Sequence, residues 1–223
     1  MRYGAFATDY DGTLAAAAIV ANDTYRALEQ LKRRGWRLIL VTGRQVPDLM
    51  HVFPELDIFD LIVAENGAIL FNPSSGQQVL LCDPIPDRFV HVLQTKNVTP
   101  LSQGQVIVAT TRDHEQIVLH TMQELGMHLQ ITLNKGNLML LPAGIDKATG
   151  LAAALGRLEL SFDQTVGVGD AENDLAFFSK CGLAVAVGNA LPSLKGHADL
   201  VMTGEDGSGV VELIHELLLE EHI

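Results

Sequence analysis

Short apolar runs alternate with helical patterns along most of this chain. "GAFATD", "RLILVTG", "DLIVAEN", "QTVGVGD", "LAVAVGN" and "ADLVMTG" are continuous apolar stretches bounded by turn residues, the pattern of strands buried on both faces. Between the first two, "NDTYRALEQLKRRG" carries an apolar stripe at Tyr25, Leu28 and Leu31, which predicts a helix capped by Asn22 or Asp23 and ended by Gly35. Its "KRR" falls in the last turn, where the helix dipole favours cations, and reads as a solvated face. A C-terminal helix is predicted from Val210, Leu213, Ile214 and Leu217, which share one side. Strand, helix and strand in this order predict an α/β fold: a doubly wound parallel sheet with right-handed crossovers.

The middle of the chain breaks this rhythm. From about Phe71 to Pro142 the pattern predicts a hairpin ("ILFNPSSGQQVLL"), a helix ("PDRFVHVLQ"), a strand ("QVIVATT"), a helix ("DHEQIVLHTMQELG") and a second hairpin ("LQITLNKGNLMLL"). Val118, Met122 and Leu125 share one helix side, so this stretch has an apolar face of its own. It reads as a small α+β unit, residues 72–142, inserted into a core formed by 1–71 and 143–223. There are no repeats and no low-complexity segments.

Composition narrows the partners. With 223 residues, 48% of them apolar, the chain can bury a sizeable core, and a formal charge of −12 argues against nucleic acid and against an anionic membrane surface. No apolar stretch approaches a transmembrane span. The opening "MRYGAFATD" enters an acidic strand end and not the cleavage site of a secretion signal, and Cys82 and Cys181 have no metal spacing and read as free buried thiols. A cytoplasmic protein, monomer or homodimer, is the expectation.

The residues that follow each strand carry the chemistry, because open α/β sheets bind ligands beyond the carboxyl ends of their strands. Asp9 and Asp11 follow the first run; Thr42, Gly43 and Arg44 follow "LILV"; Lys147 opens a helix after the insert; Asp170, Asn173 and Asp174 follow "TVGVG". Singly these are ordinary: a D-x-D is often a turn, and a lone lysine is usually solvated. Together they set carboxylates, a hydroxyl, a lysine and helix N-termini on one rim. That set suits a hard divalent cation, such as Mg2+, beside a phosphate. It also supplies the positive partner that two neighbouring aspartates need.

The four-part order resembles the haloacid dehalogenase superfamily of phosphohydrolases. "DYDGTL" is similar to its first motif, "VTGR" to its second, Lys147 to its third and "GDAENDLAFF" to its fourth, and the resemblance covers essentially the whole chain. "AENGA", "GNALPSLKGHAD" and "EDGSGVVELI" are similar to the Cof-type, sugar-phosphate phosphatase branch. In that branch a cap lies between the second and third motifs, where residues 72–142 lie here. In size and cap length the chain also resembles archaeal-type phosphoglycolate phosphatases.

The resemblance implies a Rossmann-like core with a small α+β cap, and a Mg2+-dependent phosphomonoesterase acting on a small phosphorylated metabolite such as a sugar phosphate or phosphoglycolate. By the same resemblance Asp9 is the nucleophile and Asp11 the general acid and then base. Asp9, the Asp11 backbone carbonyl and Asp170 hold the metal, with Asp174 an outer ligand or an orienting group. Thr42, the Gly43 N–H and Lys147 hold phosphoryl oxygens, and Asn173 helps to position substrate. Arg44 is a candidate for a substrate anion, and Arg112, His114, Asn134 and Lys135 stand at loop positions of the insert from which they can face the site. A phosphomutase of the same superfamily remains an alternative, since it too uses an aspartyl-phosphate. A phospho-accepting signalling domain fits poorly, because its acceptor lies on a mid-sheet strand and it carries no insert.

Overall fold

A computed structural model describes residues 3–220. The first third of the chain runs β1 (Ala5–Thr8), a small hairpin of β2 (Ala15–Ala16) and β3 (Ile19–Val20), α1 (Asn22–Arg33), β4 (Arg37–Val41), α2 (Val46–Val52), β5 (Leu61–Ala64), β6 (Ile69–Asn72) and β7 (Gln77–Leu80). There follow α3 (Asp87–Thr95), β8 (Ser102–Gln103), β9 (Val108–Thr111), α4 (Glu115–Glu124), β10 (Leu129–Asn134) and β11 (Asn137–Pro142). The last third contains α5 (Lys147–Arg157), β12 (Thr165–Gly169), α6 (Leu175–Phe178), β13 (Leu183–Ala186), α7 (Pro192–Lys195), β14 (Leu200–Val201) and α8 (Asp206–Glu220).

Eight strands form one sheet in the order β14-β13-β12-β1-β4-β5-β6-β7. From β14 to β5 every pairing is parallel; β6 and β7 add an antiparallel edge. The chain moves outward from β1 through β4 and β5, then returns on the other side of β1 through β12, β13 and β14. That reversal opens a crevice at the carboxyl ends of β1, β4 and β12. β1, β5 and β12 are buried at every position, as their unbroken apolar runs require. β14 departs from the expected buried strand: it is two residues long, and Leu200 and Val201 lie exposed at the sheet edge. α1 and α8 pack together, while α5 packs over β4, β5 and β6. No helix among the described residues is long and apolar enough to cross a membrane.

Helix α1 buries Leu28 and Leu31 as its periodicity predicts, but its N-cap is Ala21 and no side chain caps it. Asn22 and Asp23 already lie inside the first turn. Lys32 is not simply solvated; its ammonium donates to the carbonyls of Asp57 and Ile58, at 3.1 and 2.5 Å. Both cysteines are free but only half-buried, and burial pushes the Cys181 thiol up to about 12, which leaves it inert.

A second sheet, β10-β11-β9-β8, is antiparallel throughout. The hairpin β6–β7 does not join it but extends the large sheet. β11 explains how the two sheets relate. Successive strand side chains point to opposite faces. Leu138 and Leu140 enter a small core with Phe89, Val90, Leu93 and Val118 from α3 and α4, whereas Met139 and Leu141 join the large core. One face of the second sheet is therefore covered by helices, and the other lies toward the large sheet.

Glu65 ties the two together. It follows β5 with a left-handed φ of 49° and is 1% exposed, an expensive place for a carboxylate. Its oxygens accept from the backbone N–H groups of Gln105, Val106 and Ile107 at 2.9 to 3.0 Å. Gly104 is required beside it, since a Cβ there would stand 2.5 Å from a Glu65 oxygen.

Candidate active site

The site is built where β1 ends. Asp9 continues β1, its N–H donating to the Val168 carbonyl at 3.0 Å, so the strand aims its carboxylate into the crevice. Lys147 arrives as the first residue of α5, whose start is locked by a capping box between Asp146 and Thr149. Fully buried, its ammonium donates to Asp9 Oδ1 at 2.5 Å and to Asp174 Oδ1 at 2.6 Å. Asp174 in turn accepts through Oδ2 from the N–H groups of Asp170 and Ala171, at 2.9 and 3.1 Å. The fourth motif is thereby folded back on itself, with Asp170 just past β12.

Oxygens of Asp9, Asp170 and Asp174 lie within 4.8 Å of one another, and all three residues are buried. Three buried carboxylates against one buried ammonium leave a surplus of negative charge. Burial, then the neighbouring Asp174 and Asp170, push the Asp9 carboxyl up to about 8 against the pull of Lys147. Burial likewise raises Asp170, opposed by a bond from Lys135. For Lys147, burial favours the neutral form, but the Asp174 and Asp9 carboxylates outweigh it and hold the amine charged. An all-oxygen donor set with excess negative charge fits a hard divalent cation.

The second motif lines the next strand end. Past β4, Thr42 is buried, and its Oγ1 accepts the Arg44 N–H at 3.1 Å, closing a tight turn through Gly43. The Arg44 guanidinium is bidentate to Asp11 at 2.7 Å for both bonds and also meets Asp48 at 2.5 Å. It lies over the Tyr10 ring, 5.3 Å from the centroid. The Asp11 bonds raise its pKa above the usual arginine value. Asp11 is thus paired with Arg44 and partly exposed, and its carboxylate is not one of the three clustered carboxylates.

Asn173 donates to Asn66 Oδ1 at 3.1 Å and leaves its own Oδ1 buried without a hydrogen-bond partner. Both asparagines line a cavity of about 380 Å3 with Gln130, Thr132, Lys147 and Glu172. The cavity lies between α5, the fourth motif and β10, so the second sheet forms one of its walls. Of the insert's candidates, Lys135 reaches the cluster by an ion pair with Asp170. Asn134 Oδ1 is buried without a partner; His114 meets the Thr99 carbonyl and Arg112 pairs with Glu115 within the insert.

Several contributors carry no periodic or spacing signal in the sequence. Thr13 donates to Asp170 Oδ1 at 3.2 Å, and Asn189 donates to the Gly12 carbonyl at 2.8 Å, fixing the loop after β1. Asn66 and Asn189 fall inside "AENGA" and "GNALP", segments visible by family resemblance alone.

Comparison with known proteins agrees with this geometry. A family model described as haloacid dehalogenase-like hydrolase matches residues 6–99 and 93–214. The chain is 27% identical to phosphoglycolate phosphatase 2 of Saccharolobus solfataricus, over 95% of this chain and 91% of that one. It is 28% identical to the phosphoglycolate phosphatase of Metallosphaera sedula, over 95% and 97%. The crystal structure of Thermoplasma acidophilum 0175 superposes with a TM-score of 0.81 at 18% identity, covering 98% of this chain and 100% of that one. Strand order, strand-end motifs and a family match spanning most of the sequence lead to one conclusion: the chain belongs to the haloacid dehalogenase-like hydrolases.

Proposed function

We propose that this chain is a Mg2+-dependent phosphomonoesterase that works through an aspartyl-phosphate on Asp9. The observation that carries this reading is the buried group of Asp9, Asp170 and Asp174 joined by Lys147 at the switch point of the sheet. Asp9 and Asp170 would hold Mg2+ together with the Asp11 backbone carbonyl, Asp174 standing behind them. When bound, the ion offsets the repulsion between a carboxylate and a phosphate.

Asp9 attacks phosphorus, and the bond to the departing alcohol breaks with its electron pair left on oxygen. Asp11, released from its bidentate pairing with Arg44 and protonated, donates a proton to that oxygen. In the second half Asp11 takes a proton from water, the water oxygen attacks phosphorus, and the bond to Asp9 breaks, restoring the carboxylate and releasing phosphate. The Asp11 carboxylate is partly exposed and is not one of the three clustered carboxylates, which suits proton transfer better than metal binding. Lys147, Thr42 and the Gly43 N–H take phosphoryl oxygens, where charge gathers in the transition state. Asn173, with its free Oδ1, contacts the substrate, and Arg44 joins it once it turns from Asp11.

The substrate is a small phosphorylated metabolite, and the part of residues 72–142 that carries the second sheet and its helices serves as the cap that selects it. The cavity of about 380 Å3 and its wall from β10 support both statements. Sequence relatives are named phosphoglycolate phosphatases, so 2-phosphoglycolate belongs at the head of a test panel with small sugar phosphates and p-nitrophenyl phosphate. Phosphate release in Mg2+, lost on exhaustive chelation and restored by added Mg2+, is the expected result. Release that survives chelation, or no release from any ester, overturns the proposal.

Asp11→Asn separates the acid from the nucleophile. In the first turnover, cleavage of an alkyl phosphate should fall roughly 10²–10⁴-fold, whereas p-nitrophenyl phosphate, whose leaving group needs no proton, should lose less than about tenfold. Rapid-quench measurement of both esters checks this; equal losses count against Asp11 as the acid.

A further inference from the structure

Lys135 links the second sheet to the carboxylate cluster by its ion pair with Asp170. It stands at the tip of the β10–β11 hairpin, between Asn134 and Asn137, which pair across the two strands. Lys135 and Gly136 both have positive φ, 46° and 86°, the backbone of a two-residue turn that fits the twist of a hairpin. Asparagine or glycine would take the first of these positions more readily than lysine. The turn carries a side chain that reaches across to the large sheet. Its ammonium bonds Asp170 Oδ2, and its backbone N–H lies 3.4 Å from Glu172 Oε2. Gly12 makes room for it, since a Cβ there would stand 2.7 Å from the ammonium and 2.5 Å from the Asp170 carboxylate.

We propose that Lys135 is a positioning residue that competes with a divalent cation for Asp170, so that the hairpin is seated or lifted according to the charge held in the site. This rests on reading Asp9, Asp170 and Asp174 as the cation's ligands. The three carboxylates outnumber the single Lys147 ammonium, and the Lys135 ammonium is drawn to their surplus of negative charge. A doubly charged cation cancels that attraction, claims oxygens of the same carboxylates and repels the ammonium at short range. Lys135 then leaves Asp170 and the hairpin loses its tie to the large sheet. The dianion of a phosphoryl group restores the surplus of negative charge and draws Lys135 back, now above the substrate. Closure of the hairpin over a metal-loaded site is thereby made conditional on phosphate.

Titration calorimetry of Mg2+ into the full chain tests this without catalysis. Lys135→Asn keeps a residue suited to the turn while removing the ammonium, and Lys180→Ala removes an exposed lysine elsewhere with the same change in net charge. Lys135→Asn should bind Mg2+ about tenfold more tightly than the unaltered chain, and Lys180→Ala within about twofold of it. In the unaltered chain, amide hydrogen exchange of residues 129–142 should quicken on adding Mg2+ and slow again with inorganic phosphate. Equal or weaker Mg2+ binding by Lys135→Asn overturns the proposal, because a merely structural lysine would leave affinity unchanged or reduce it. Exchange in the hairpin that ignores Mg2+ overturns it as well. If Mg2+ binds the unaltered chain but the variant gains nothing, this inference alone fails; if no form binds Mg2+, the cation reading falls with it.

Discussion

Asp9→Asn is expected to abolish turnover, lowering kcat by on the order of 10⁴-fold or more, while leaving the protein folded. The amide is nearly isosteric with the carboxylate, and the backbone bond that holds position 9 to β12 is untouched. What disappears is the nucleophile, since an amide oxygen forms no stable phosphoryl ester. The fold should not suffer, because burial and the neighbouring Asp174 and Asp170 already push the Asp9 carboxyl up to about 8. A neutral side chain relieves that strain. Thermal melting without metal should therefore show a midpoint equal to or above that of the unaltered chain at pH 8.5. Acid quenching during turnover should trap a phosphorylated chain before the substitution and none after it. Sustained multiple turnover by Asp9→Asn would refute the covalent mechanism.

Lys147→Met should be the most damaging single change to stability. The methionine fills similar volume, but three buried carboxylates lose their buried cation. Breaking a buried ion pair in this way costs about 3–5 kcal/mol. For a chain of this size that is a fall of roughly 6–20 °C in Tm. The pH dependence has a definite sign. Lys147 pulls the Asp9 pKa down, so its removal raises that pKa further. A group with a raised folded-state pKa contributes stability below its unfolded value, near pH 4, and loses it as pH rises through the folded value. The deficit of Lys147→Met should accordingly be small near pH 5 and largest above pH 8, and Mg2+ should recover part of it. Melting curves across that range, with and without Mg2+, decide the matter. A deficit independent of pH and metal would show that Lys147 acts only by packing.

Most of the large sheet was legible in the sequence. β1, β4, β5, β12 and β13 are apolar runs buried on both faces, and their order with the intervening helices admits few topologies. The strand-end motifs were legible for the same reason, since a residue just past a buried parallel strand must lie on the ligand-binding rim. Prediction was weakest at the margins. "ADLVMTG" reads as a buried strand yet forms the short exposed β14, because an edge position depends on what lies beside it. The hairpin β6–β7 looks like its neighbours in the insert yet hydrogen-bonds to β5, a choice between two sheets that local pattern does not encode.

By itself, then, the sequence determined the class of fold, the elements and the set of chemical groups on one rim, because periodicity and strand ends are local properties of a chain. The tertiary structure alone decided which groups meet. Arg44 could have faced a substrate or a neighbour, and it is the loops after β1 and β4 coming side by side that pair it with Asp11. Glu65 looks like any surface glutamate until the loop before β9 brings three N–H groups to its carboxylate. Lys135 lies 35 residues before Asp170 in the chain, and only the fold of the second sheet against the first sets its ammonium on that carboxylate. Long-range pairs of polar groups leave no periodic trace, because they depend on the convergence of loops and not on the repeat of a helix or a strand.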